Sequence, residues 1–137
     1  MDRRIEKFLE NQEVTFELLD TASKNEVEKR WLREFARNVK KETGSWIYRR
    51  FKWHAYSGKF EAATEGQKAL ELYQDQWAAP YFVFDEEGTW SYRCKSERYP
   101  DFTVLRSDIY VVHHNMKWTM VFTHEQPHDG PYFAIRR

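Results

Sequence analysis

Residues 124–128 read H-E-Q-P-H and match the H-E-x-x-H pattern of zinc metalloproteases. In that pattern the histidines bind zinc and the glutamate acts as general base, which requires all three to share one helical face. Here Pro127 lies between the histidines, where it would remove a helical hydrogen bond, and the preceding residues alternate as a strand. We therefore predict no zinc site of this type, and we assign no metal and no other cofactor.

The histidines also allow a metal site without a helix. Five side chains lie near the ends of adjacent predicted strands: His113, His114, His124, His128 and Asp129. Imidazole suits zinc, nickel or iron, and a loop can bring such ligands together. A histidine at a strand end is more often exposed or hydrogen-bonded than a ligand, so we favour a structural role.

Cys94 is the only cysteine, and its position argues against a catalytic thiol. It shares the apolar side of a predicted strand with Trp90 and Tyr92. A buried thiol behaves as a small hydrophobe, and its pKa rises. The sequence also lacks a glycine-rich phosphate loop and a G-x-S-x-G elbow. We therefore assign no catalytic residue.

The segment 49–54, R-R-F-K-W-H, mixes cations with aromatic rings, as proteins that bind single-stranded nucleic acid do. However, Lys plus Arg and Asp plus Glu are equal at 22 each, so the chain shows no overall basic excess. Arginine and lysine stems also cover aromatic core edges while their charged heads stay in water. We favour this second interpretation of the segment.

A helix over 24–40 is the strongest predicted element. Ser23 and Glu26 form an S-x-x-E capping box, in which each side chain binds a free backbone N–H at the helix start. Apolar residues recur behind it at helical spacing, which predicts that Trp31 and Phe35 are core residues. The earlier residues 13–19 fit either a short strand or a second helical turn.

A second capping box, Thr64 with Gln67, predicts another helix that ends before Pro80. Its predicted inner face consists of Ala69, Leu70, Tyr73 and Trp77.

From Tyr81 the pattern changes to period two, which indicates strands. The predicted strands are 81–84, 89–95, 108–113, 117–123 and 131–136. A turn at Asn115-Met116 pairs Ile109 with Phe122 and Val111 with Met120. The same alternation places His124 on the apolar face, largely buried, and Glu125 on the opposite face. We predict one α+β domain over 1–137, with N-terminal helices packed on one face of a mainly antiparallel sheet formed by the C-terminal half.

Several segments together resemble a family of small uncharacterised bacterial proteins, found mostly in bacilli and labelled a domain of unknown function, DUF4275. The matching segments are R-W-L-R-E-F-A (30–36), W-H-A-Y-S (53–57), E-G-Q-K-A (65–69), S-D-I-Y-V-V (107–112), W-T-M-V-F-T-H-E (118–125) and G-P-Y-F (130–133). The resemblance implies a single-domain bacterial protein and supplies no activity or cofactor. It also implies a set of characteristic residues that form either a pocket or interaction site or the framework of the fold: Trp53, His54, Tyr56, Trp118, His124, Glu125 and Tyr132.

The first functional hypothesis is a cytoplasmic binding or interaction protein without catalytic activity, such as an accessory or immunity-type protein, whose partner is another bacterial protein. A single cysteine excludes an internal disulfide and fits a reducing cytoplasm, and the chain shows no apolar run of signal-peptide or membrane-spanning type. The first alternative is a hydrolase that uses His124 and Glu125 with His54 nearby. The second is nucleic-acid binding through residues 49–54. The oligomeric state stays open.

Overall fold

A computed structural model describes residues 3–136, which fold around one seven-stranded antiparallel sheet. The helices are α1 (Arg3–Asn11), α2 (Thr21–Phe35), α3 (Arg37–Thr43), α4 (His54–Ser57) and α5 (Gln67–Gln74), and a 3-10 helix covers Phe102–Leu105. The strands are β1 (Thr15–Leu18), β2 (Thr64–Glu65), β3 (Tyr81–Asp85), β4 (Ser91–Lys95), β5 (Ile109–His113), β6 (Trp118–Phe122) and β7 (Tyr132–Ile135). The predicted α+β class, with an antiparallel sheet in the C-terminal half, is confirmed.

The strands run in the order β1-β4-β3-β5-β6-β7-β2. Of the two interpretations of residues 13–19, the strand is correct, since β1 pairs with β4. Helices cover both faces of the sheet. One core contains Leu9 of α1 and Tyr73 of α5, and the other contains Trp31 of α2 and Val39 of α3. The central strands β5 and β6 are buried on both faces, because apolar residues occupy their odd and their even positions.

The hairpin of β5 and β6 has the predicted register. Ile109 pairs with Phe122 and Val111 with Met120, and these four side chains belong to the core on the α1 and α5 side. Met116 takes the left-handed conformation that the tight turn requires, with φ 60°. The strand β6 ends at Phe122, and this end determines where the following residues point.

The predicted helix over 24–40 is two helices, and its predicted cap is wrong. Asp20 caps α2, because its carboxylate accepts a hydrogen bond from Ser23 N at 2.7 Å, so Ser23 lies inside the first turn. The helix stops at Ala36, and α3 starts directly after it. Trp31 and Phe35 are buried, as predicted.

The second helix also starts and ends differently from the prediction. Thr64 belongs to β2, and α5 begins after Gly66, whose φ of 77° suits glycine and whose cap uses no side chain. The helix ends at Gln74, well before Pro80, so Trp77 does not lie on its inner face and is 92% exposed. Among residues 3–136, every helix is too short or too polar to cross a membrane.

Candidate functional site

His124 and Asp108 meet at one end of the sheet, where β6 ends and β5 begins. The hairpin register brings them together, because Ile109 pairs with Phe122 and each polar residue lies just beyond that pair. The Asp108 carboxylate accepts a hydrogen bond from the His124 backbone N at 2.9 Å, and both of its oxygens lie 2.9 Å from Nδ1 of the ring. One carboxylate, only 11% exposed, therefore fixes both the backbone and the side chain of His124.

The prediction that His124 is buried on the apolar face is wrong. Its side chain is 40% exposed, and residues 124–128 form turns, in which neither strand nor helical periodicity applies. The alternation ends at Phe122 because Asp108 draws the following backbone N–H and ring toward itself. His124 and His128 share no helical face, as the position of Pro127 predicted.

The contact with Asp108 also determines which ring nitrogen of His124 carries the proton in the neutral form. An ionised carboxylate only accepts hydrogen bonds, so Nδ1 is the donor and Nε2 has a free lone pair. Nε2 lies 3.4 Å from Oε2 of Glu125, whose side chain is 43% exposed. The prediction that Glu125 points away from His124 is therefore wrong. When the ring is neutral, Nε2 and Oε2 are therefore two hydrogen-bond acceptors that face each other at the surface.

Aromatic rings pack beside His124 and form a shelf at the same end of the sheet. The centroid of the His124 ring lies 5.2 Å from that of Phe51 and 6.0 Å from that of Trp53. The Trp53 indole N–H donates to Asp108 at 3.1 Å, so the carboxylate that orients His124 also anchors the shelf. His54 packs on Trp53 with 4.4 Å between ring centroids. We call the following set the His124 site: Phe51, Trp53, His54, Asp108, His124 and Glu125.

His54 stays uncharged near neutral pH. Burial lowers its pKa, and the positive charge of Arg49 lowers it further. Three carboxylates oppose this shift without reversing it: Glu125, Asp129 and Asp108. Their effect on His54 shows that these acidic groups lie within electrostatic range of the shelf. His54 therefore adds no positive charge to the site.

A buried polar network holds the segment that bears the shelf. The Lys52 ammonium lies 3.2 Å from the Glu86 carboxylate and donates to the Glu86 backbone carbonyl at 2.6 Å. The Lys52 backbone N–H and the Tyr110 hydroxyl donate to the same carboxylate. Burial raises the pKa of Glu86, and the opposing attraction of Lys52 and the Tyr110 hydrogen bond only partly offsets that rise.

The burial of Lys52 corrects part of the prediction for residues 49–54. Its charged head lies in the protein and not in water, whereas Arg49 and Arg50 behave as predicted. Their guanidinium groups lie over the rings of Tyr48 and Phe51, each at 5.2 Å. Lys52 and Trp53 are buried and offer neither a free charge nor a free ring to a nucleic acid strand.

His124 and Asp108 also line a cleft of about 320 Å³. Its volume falls in the range of small-molecule sites. Buried apolar residues line it together with charged ones, among them Ile5, Trp90, Ile109, Arg4, Arg106 and Glu87. His124 therefore borders both this cleft and the aromatic shelf.

The structure places the remaining predicted site residues outside the His124 site. Tyr56 and Tyr132 pack together, with 5.5 Å between ring centroids, in the core that also contains Trp53. Trp118 belongs to the core on the opposite face of the sheet. The structure thus brings together four residues of the predicted set: Trp53, His54, His124 and Glu125.

The histidines do not converge on a metal. His113 is the last residue of β5 and His114 follows it, whereas His124 lies beyond the other end, so the strand separates them. Within the described range 3–136, no three His, Cys, Asp or Glu side chains are placed to hold one ion. Cys94 is buried, and burial raises the pKa of its thiol to about 12, as its strand position predicted.

Sequence reasoning missed Asp108, and it singled out Phe51 only as part of the segment 49–54 and not as a neighbour of His124. The signal for Asp108 was present, because the predicted pairing of Ile109 with Phe122 already places position 108 next to the residues that follow β6. Phe51 had no comparable signal. Its loop has no periodicity, and its position depends on the distant partners of Lys52 and Trp53.

Comparison with known proteins identifies the family and supplies no activity. The model of a family described as a domain of unknown function (DUF4275) matches residues 4–133, which is nearly the whole chain and agrees with the resemblance found in the sequence. Neither the curated proteins nor the solved structures contain a match.

Proposed function

This chain belongs to the DUF4275 family, and we propose that it is a binding protein whose His124 site holds a positively charged, hydrogen-bond-donating group. The group is an ammonium or a guanidinium, from a small ligand or from a protein partner. The observation that carries the proposal is the pair of acceptors 3.4 Å apart, His124 Nε2 and Glu125 Oε2, on an exposed surface.

Two facing acceptors require a donor between them or near them. Asp108 occupies Nδ1, so in the neutral ring Nε2 has no proton to offer Glu125. An ammonium or guanidinium can donate to both atoms at once, and each charge-assisted hydrogen bond contributes about 1.5–3 kcal/mol. The fixed imidazole also reduces the entropy cost of binding, because its orientation is set before the ligand arrives.

The aromatic shelf supports a cationic ligand. The Arg50 guanidinium already lies 5.2 Å from the centroid of Phe51, which shows that the shelf accommodates such a group. His54 is neutral, and the nearby carboxylates of Glu125 and Asp129 attract a positive charge. The carboxylates of Glu125, Asp129 and Asp108 therefore favour a cation over an anion, and the charges of Arg49 and Arg50 oppose this preference.

The test is a titration of the protein with N-acetylarginine amide, followed by backbone amide NMR. The control ligand is N-acetylcitrulline amide, which has nearly the same shape and no charge. We expect shifts at His54, His124 and Glu125 with a Kd of about 1 mM, the affinity of a single small group. Glu125→Gln should weaken binding about fivefold or more, since it removes a charge that pairs with the ligand. Glu97→Gln, at the opposite end of the sheet, is the matched control and should change nothing.

The proposal fails if arginine and citrulline amides bind equally well, because the charge would then have no role. It also fails if the shifts map away from the His124 site or if Glu125→Gln leaves the affinity unchanged.

The contact between Asp108 and Nδ1 also favours a second function, hydrolysis. A carboxylate in this position orients a general base, and a water held between Nε2 and Glu125 would be the nucleophile. This function predicts turnover of a simple ester or phosphodiester that falls by orders of magnitude in Asp108→Asn. The binding function predicts retention of the arginine amide without turnover.

We also propose that the protein acts as one domain in a bacterial cytoplasm with another protein as its partner. The support is the lone buried cysteine, which suits a reducing compartment, and the preformed exposed site.

A further inference from the structure

An exposed tryptophan and an exposed isoleucine lie at the end of the sheet opposite the His124 site. Trp77 is 92% exposed and Ile135 is 68% exposed. Both line a groove of about 450 Å³, together with Ala78, Ala79 and the buried Trp118. Single exposed apolar residues are common, but two large ones along one apolar groove are typical of an interaction surface.

The backbone of Trp77 is fixed although its ring is free. The buried Tyr99 hydroxyl donates to the Trp77 carbonyl at 2.7 Å and accepts from the Ala79 N–H at 3.0 Å. The Tyr99 hydroxyl thus holds the backbone from the Trp77 carbonyl to Ala79. The ring therefore projects from a rigid support, which lowers the entropy cost when a partner covers it.

The groove has a positively charged border. Lys117 lines it. Arg136 follows Ile135, its backbone N–H donates to the Lys117 carbonyl at 2.9 Å, and its guanidinium donates to the Asn115 carbonyl at 3.1 Å. His113 also lines the groove. Burial lowers the pKa of His113 to about 4, and His114, Lys117 and Arg136 lower it further. Of these three, Lys117 and Arg136 carry a positive charge at neutral pH, because the pKa of His114 is itself lowered by burial. The electrostatic potential at this end of the sheet is therefore positive.

We infer that the Trp77 face, formed by Trp77, Ile135, Lys117 and Arg136, docks an acidic amphipathic helix of a protein partner. The apolar side of such a helix fits the groove, and its flanking carboxylates meet the two cations. A second copy of this chain fits poorly, because two such faces would bring like charges together. Ile135 offers no flat ring for stacking, so a nucleic acid strand would leave it uncovered. This inference is independent of the His124 site, which lies at the other end of β5.

The test uses a fluorophore-labelled synthetic helix of leucine and glutamate in an amphipathic pattern, measured by fluorescence anisotropy with the full chain. We expect binding that weakens as salt rises and falls about tenfold in Trp77→Ala, the loss expected for an interface anchor. Lys117→Glu should weaken it too, whereas Val104→Ser, at another exposed apolar residue, should not. The same peptide with lysine in place of glutamate should not bind.

Three results would overturn the inference. The first is no binding of the acidic peptide, or binding that Trp77→Ala leaves unchanged. The second is a dimer in sedimentation that Trp77→Ala abolishes, which would make a second copy the occupant. The third is Trp77-dependent binding of an oligothymidylate in preference to the peptide. Trp77→Ala removes only exposed surface, so an unchanged thermal midpoint serves as the check that the variant is folded.

Discussion

Acidification should destabilise this protein through His113. The ring is buried, and its Nδ1 accepts a hydrogen bond from the Asn115 N–H at 3.0 Å. A protonated ring would present a second N–H at that position and lose the bond. Burial lowers the pKa of His113 to about 4, with further lowering by His114, Lys117 and Arg136.

The sign and size of the effect follow from this pKa. Between the ordinary histidine value of 6.5 and about 4, the unfolded chain binds a proton that folded His113 does not bind. The free energy of unfolding therefore falls as the pH falls through this window, and above it His113 makes no difference. At about 1.4 kcal/mol per pKa unit, the total loss is up to about 3 kcal/mol.

The assay is urea denaturation of the wild type and of His113→Asn from about pH 7.5 down to about pH 4.5. Asparagine keeps an acceptor for Asn115 N–H and cannot titrate, so the variant should lose less stability on acidification. His114→Asn should reduce the pH dependence less, because the His114 ring is the more exposed of the two. Parallel pH profiles for wild type and His113→Asn would refute this reasoning.

The remaining predictions concern the core, the buried ion pair and the site. Trp31→Ala should cost about 3–5 kcal/mol in urea denaturation, and a loss below about 1 kcal/mol would contradict its place in the core. Glu86→Gln should also cost about 3–5 kcal/mol, because the buried Lys52 ammonium would lose its carboxylate, and an unchanged denaturation midpoint would contradict the pairing. Asp108→Asn should move the proton of neutral His124 from Nδ1 to Nε2, as seen in imidazole ¹⁵N spectra, and an unchanged tautomer would show that Asp108 does not set it.

The central hairpin could be predicted from the sequence because its information is local. Period-two alternation and the Asn115-Met116 turn specify the register, and a slip by one residue would move every apolar side chain to the wrong face. The helical stripe of Trp31 and Phe35 was equally predictable, since helical spacing alone places both on one face.

The helix starts were less predictable because several residues can act as caps. Ser23 is a good N-cap type, but Asp20 three residues earlier is at least as good and takes that role. Thr64 also has a cap-forming side chain, yet its backbone pairs with Phe133 in the sheet. Tertiary pairing therefore overrides the local signal.

The errors at His124 and Trp77 share a physical cause. Each residue was placed by extending a periodic pattern past the end of its element. His124 leaves the strand pattern because Asp108 binds it, and Trp77 leaves the helix pattern because Tyr99 binds its carbonyl. Tyr99 is distant in sequence from Trp77, and no local pattern reveals it, whereas Asp108 can be found only through the pairing of Ile109 with Phe122.

The most direct test of the proposed function is the ¹⁵N signal of His124 Nε2 during titration with N-acetylarginine amide at about pH 8.5, where an imidazole is ordinarily neutral. Before titration, we expect the ¹⁵N signal of Nε2 to be that of an unprotonated nitrogen. As the ligand binds, this signal should shift toward the value of a nitrogen that accepts a hydrogen bond. Citrulline amide should produce little change. A proton already on Nε2, or arginine amide binding that leaves the Nε2 signal unmoved, would contradict the assignment of this nitrogen as the acceptor for a cationic group.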